Sequence, residues 1–100
     1  MRKLEVSNQS KQEIINIKVF TTLNWGKKQS NKYIIELYNK LSLLVQNPLI
    51  GINRVDLSKE TYSFPHESHM IYYKFNENYL YVMAVLHQNM LPKEQLKGRI

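Results

Sequence analysis

The chain opens with an alternating pattern. In RKLEVS (Arg2 to Ser7), Leu4 and Val6 fall on one side and Lys3 and Glu5 on the other, which predicts a short strand. The period then changes. SNQSKQEII offers Ser and Asn side chains that can cap a helix, with Glu13 three residues after Ser10 at capping-box spacing. A helix is predicted from about Ser10 to Leu23, with Ile14, Ile17 and Phe20 on one face and Ile15, Val19 and Leu23 on roughly the opposite one. A helix apolar on two faces is either sandwiched within its domain or lends one face to a partner. The sandwiched arrangement is the expectation from the pattern alone.

A second helix is predicted over Lys27 to Gln46, where Tyr33, Leu37, Leu41 and Leu44 share a face that Ile34, Tyr38 and Val45 widen. Asn47-Pro48 ends it, since Pro lacks the N–H that would continue the ladder and disfavours helix in the residue before it. The link Asn24-Trp25-Gly26 is so short that the helices must form an antiparallel hairpin. Gly26 can take backbone angles closed to other residues, and Trp25 is expected to close the end of the hairpin over its core.

After Gly51 the texture becomes that of strands. RVDL (Arg54 to Leu57) and YSF (Tyr62 to Phe64) read as short ones, HMIYYKF (His69 to Phe75) and YLYVMAVLH (Tyr79 to His87) as longer ones joined by an NEN turn. In the last strand Leu80, Val82, Ala84 and Leu86 are expected to face one way, and Tyr79, Tyr81, Met83, Val85 and His87 the other. Both faces are substantially apolar, as in a central strand. LPKEQLKGRI then adds a short helical turn and a basic tail. The order β-α-α-β-β-β defines an α+β fold: an N-terminal strand and an antiparallel two-helix hairpin packed on a twisted, mostly antiparallel sheet, residues 1–100 forming one domain.

Composition narrows the function classes. The net charge of +6, from 14 basic and 8 acidic side chains, favours an anionic macromolecular partner. With no Cys, thiolate metal sites and disulfides are excluded. No apolar run approaches the ~20 residues that span a bilayer, and no apolar segment follows the basic start, so a cytoplasmic protein without a membrane role is expected. His66 and His69 are too poorly supported by neighbouring ligands for a metal site that would draw on Asp56 or His87, so neither metal nor cofactor is expected. His87 ends a buried-looking strand, where a hydrogen-bonded structural role competes with an acid–base one. Tyr62, beside Pro65 and His66, is a candidate to stack on a base or fill a partner's pocket.

Taken in order, Glu13-Ile14, Ile17, Phe20-Thr21, Trp25-Gly26, Gln29-Ser30, Tyr33, Leu37, Leu41, Leu44, Asn47-Pro48, Gly51, SHMIYY (Ser68 to Tyr73), VLHQNM (Val85 to Met90) and Leu96 resemble the ParE branch of the RelE/ParE toxins of bacterial toxin–antitoxin systems. The resemblance implies a toxin that binds DNA gyrase without catalysis. It also implies a cognate antitoxin, acidic and partly disordered, whose C-terminal segment folds over the toxin in a hetero-oligomer. Ile15, Val19, Leu23 and Tyr38 are the candidate antitoxin contacts, and Tyr62, His66, His69, His87, Lys93, Lys97 and Arg99 the candidate target contacts. RelE- and YoeB-like relatives instead cut mRNA on the ribosome, and for that activity Asp56 and His87 match acid–base positions. The neighbouring arginines of those nucleases have no counterpart here, and two positions where ParE-like chains often carry Arg, near Tyr62 and at Ala84, lack it. A third possibility is therefore a non-toxic relic that still binds antitoxin.

Overall fold

The long apolar strand β5 (Tyr79–His87) lies inside a five-stranded sheet of order β1-β5-β4-β3-β2. This is seen in a computed structural model that describes residues 1–100. β1 (Lys3–Val6) pairs with β5 in parallel, and β2 (Ile52–Asn53), β3 (Tyr62–His66) and β4 (His69–Phe75) complete the sheet by antiparallel pairing. One face is covered by the hairpin of α1 (Asn8–Trp25) and α2 (Lys27–Gln46), the other by a short C-terminal helix, α3 (Pro92–Gln95), and the residues around it.

On the hairpin side, Ile14 and Ile17 of α1 and Leu37, Leu41, Leu44 and Val45 of α2 pack on Ile71, Tyr73, Leu80, Val82 and Val85. On the far side Tyr72, Met83, Ala84 and Leu86 are sealed by Leu96. Regular alternation along β5 would put Ala84 and Leu86 with Leu80 and Val82, but the strand does not alternate regularly. Tyr72 pairs with Ala84 while Tyr73 pairs with Val82, which leaves Met83 as the extra residue of a β-bulge. The bulge reverses the phase of everything after it, turning Val85 and His87 toward the helices.

Three other expectations are corrected by local hydrogen bonding. The cap of α1 is Ser7, whose hydroxyl oxygen accepts the Ser10 N–H at 3.0 Å, so the helix starts earlier than a Ser10 cap would allow. Ser10 is buried and donates to the Val82 carbonyl at 3.2 Å. Residues 55–57 are a turn and not a strand, because Leu57 N–H donates to the Arg54 carbonyl at 2.9 Å and the Arg54 side chain grips Asp56. Trp25 does not cover the hairpin end; the residue is 71 % exposed. Closure there comes from the Thr22 hydroxyl, which donates to Ser30 Oγ at 2.8 Å, and from Gly26 at φ +91°, an angle that would strain a residue with a side chain.

Gly51 is required for space. Its φ is an ordinary −74°, but a Cβ there would stand 2.2 Å from the Tyr73 hydroxyl and 2.8 Å from the Ser63 carbonyl. That hydroxyl is buried and donates to the Pro48 carbonyl at 2.6 Å, fixing the corner between α2 and β2. Burial pushes the Tyr73 phenol up to about 12.

Candidate partner-binding site

The second stripe of α1 is not sandwiched. Ile15, Val19 and Leu23 are 54 %, 53 % and 81 % exposed, opposite the buried Ile14 and Ile17. Phe20, expected to join the core, is exposed as well, because the buried line on that side is continued by Thr21. Tyr38 on α2 is also partly exposed. The hairpin thus keeps one apolar face for the sheet and presents another outward, the pattern of a protein-binding surface.

Beside this face runs a groove of about 810 Å³, between the hairpin and the ends of β4 and β5. Ile17, Tyr33 and Val85 contribute its apolar lining, with Phe20, Trp25 and Met90 among its exposed residues. The turn residues Glu67 and Ser68, between β3 and β4, line it together with His69 and His87. His69 and His87 are register partners whose rings meet edge to face at 5.4 Å. Tyr33 ties this end together: its hydroxyl donates to the His66 carbonyl at 3.2 Å and meets His69 Nδ1. Burial raises the Tyr33 phenol above its ordinary value, since the ionised form would lose its hydration.

The candidate target contacts separate once placed in the fold. His66 is 1 % exposed, its Nε2–H donating to the Tyr33 carbonyl at 3.2 Å, so it is an internal strut and cannot touch a target. Arg99 is no free cation of the tail: its guanidinium forms a bidentate pair with Glu13 at 3.0 and 3.2 Å. Tyr62 is half-buried on Tyr73 and Phe75, with ring centroids 5.8 and 5.1 Å apart, so packing accounts for it. His87, Lys93 and Lys97 remain exposed, and His69 reaches the groove.

Asp56 and His87 do not form a site. Arg54 holds Asp56 in a pair at 3.0 Å and keeps its carboxyl below the usual carboxylate range. The same guanidinium lies 5.7 Å over the Tyr72 ring, on the face of the sheet away from the hairpin. His87 lines the groove on the hairpin face. Its Nδ1 accepts the Asn89 N–H at 3.2 Å, which places the proton of the neutral ring on Nε2. The position of Ala84 is equally informative. It is fully buried beneath Leu96, and an Arg there would have to lift the C-terminal segment off the sheet.

His69 gives the fold a pH dependence. Burial first, then the neighbouring His87 and His66, depresses it from its ordinary 6.5 to about 4. The unfolded chain takes up this proton near pH 6.5, so the contribution is complete above that pH and is lost as pH falls toward 4. The protein should lose about 2 kcal/mol from this residue between pH 7 and pH 4.5. Urea midpoints of the wild type and His69→Gln at the two pH values check this: the variant should show the smaller drop.

Neither a groove role for Glu67 and Glu36 nor the pairing of Glu13 with Arg99 was expected from the sequence. One signal was available for Glu67. A two-residue turn favours Gly, Asn or Asp where φ is positive, and Glu67 occupies such a position at φ 53°.

The chain is thus a small basic α+β protein with an outward apolar helix face and a groove beside it. The model for the ParE toxin of the type II toxin–antitoxin system parDE matches residues 4–92, and the chain belongs to that family. A solved chain from the chromosomal ParDE toxin–antitoxin system of P. aeruginosa shares the fold at a TM-score of 0.75, with 11 % identity over 87 % of this chain and 96 % of that one. No curated protein matches in sequence. No helix is long and apolar enough to cross a membrane.

Proposed function

We propose that this protein inhibits DNA gyrase by binding it and is neutralised by a cognate antitoxin that covers α1. The observation that carries the proposal is the exposed row Ile15, Val19 and Leu23, a non-polar surface that the domain does not use for its own core. An antitoxin segment that folds on contact would bury this row with an amphipathic helix. An acidic partner also suits the charge of +6.

Inhibition by binding is favoured over RNA cleavage by the separation of Asp56 from His87. Cleaving an internal phosphodiester needs a base for the 2′-hydroxyl and stabilisation of the phosphate charge at one place. Here Arg54, the cation next to Asp56, is committed to that carboxylate on the far face of the sheet, away from His87. Induced expression should provoke a DNA-damage response and filamentation, suppressed by co-expressed antitoxin, with no mRNA cuts in either wild type or His87→Ala. Codon-positioned mRNA cuts that vanish in His87→Ala would assign the protein to the nucleases, and unimpaired growth would make it a non-toxic antitoxin binder.

A further inference from the structure

The groove has the opposite electrical character to the rest of the molecule. It is lined by three of the chain's 8 carboxylates, Glu13, Glu36 and Glu67, and by one of its 14 cations, Lys32. Arg99 pairs with Glu13, while Glu36 and Glu67 have no ion-pair partner. His69, depressed to about 4, is neutral near pH 7 and does not offset them. Such a site repels phosphate, so nucleic acid is a poor occupant. With an apolar lining and a volume of about 810 Å³, it suits several residues of polypeptide.

Phe20 connects the groove to the outer face of α1. It lines the groove, and Leu23, one helical turn on, belongs to the exposed stripe. A polypeptide lying along Ile15, Val19 and Leu23 would therefore continue over Phe20 into the groove.

We propose that the groove seats a segment of the antitoxin in which one Lys or Arg adjoins a bulky apolar side chain, the cation facing Glu36 and Glu67. This rests on the antitoxin reading above and specifies it. The bulk of an acidic antitoxin is drawn by the basic surface, whereas this one locally basic point belongs only in the groove. Apolar contacts along α1 are non-directional and would tolerate sliding. A charge matched at a single place fixes the register and rejects antitoxins that lack it. It also gives a use to a Glu in a left-handed turn position, where a side chain is strained.

The test is a titration of labelled cognate antitoxin by fluorescence anisotropy, against wild type, the double variant Glu36→Gln/Glu67→Gln, and Val19→Asp. The double variant should bind at least about tenfold more weakly, with a smaller loss of affinity on adding salt. Glu67→Gly, which removes the strain at φ 53°, should melt no lower than wild type and still bind more weakly, separating recognition from folding. A double variant that binds as wild type while Val19→Asp is impaired would overturn the groove proposal and leave the antitoxin reading intact. Failure of folded wild type to bind the antitoxin would overturn both. A wild type that sediments as a dimer, with groove variants that sediment as monomers, would also overturn the proposal.

Discussion

Glu13→Ala should lose about 3 kcal/mol of folding stability, the largest effect expected from any single polar side chain here. β1 ends at Val6, opposite Val82, yet β5 runs on to His87. The edge left open there is satisfied by side chains. Ser7 Oγ donates to the Met83 carbonyl at 3.4 Å, and the Glu13 carboxylate accepts the Val85 N–H at 3.0 Å, just past the bulge. Arg99 closes the arrangement, donating to Glu13 and, at 3.3 Å, to the Met83 carbonyl. Their side chains are only 13 % (Arg99) and 19 % (Glu13) exposed, so truncating the Glu strands both a backbone N–H and a guanidinium. Glu13→Gln keeps an acceptor for the N–H and should cost about half as much. Denaturant unfolding of Glu13→Ala, Arg99→Ala and the double variant checks the coupling. The double should be markedly less destabilised than the sum of the singles.

Val19→Asp should leave the fold intact and weaken antitoxin binding at least ~30-fold, the equivalent of about 2 kcal/mol at a central contact. Val19 is 53 % exposed and belongs to neither buried cluster, so little core is lost. Val and Asp also have similar helix propensities, and the unfolding midpoint should change by no more than ~0.5 kcal/mol of stability. A buried carboxylate in an apolar helix–helix contact, by contrast, must be desolvated without a partner. Circular dichroism and an antitoxin titration on the same preparation distinguish the cases. A variant that unfolds would return Val19 to the core.

The elements with strong punctuation were readable from sequence. α2, β4 and β5 begin and end where the pattern placed them, bounded by Gly26, by Asn47-Pro48 and by the Asn76-Glu77-Asn78 turn. The doubled stripe of α1 was equally visible, though periodicity cannot say which stripe meets the sheet and which meets a partner. The facing of His87 was hidden. A strand apolar on both faces carries no phase, so the bulge at Met83 leaves no trace in the pattern. The role of Glu13 was masked because Ser7 and Ser10 are both good caps, and its partner Arg99 lies 86 residues away with no local signature. The groove is assembled from α1, α2, the β3–β4 turn and the end of β5, and only the fold brings its carboxylates together.

On the proposed function, this protein acts by occupying other macromolecules. The most direct measurement is titration of the purified protein into a gyrase supercoiling reaction, with translating ribosomes and message assayed in parallel. Inhibition of gyrase that saturates at a fixed ratio and is relieved by added antitoxin is the predicted result. Repeated cutting of ribosome-bound message by substoichiometric protein, with gyrase unaffected, would contradict it.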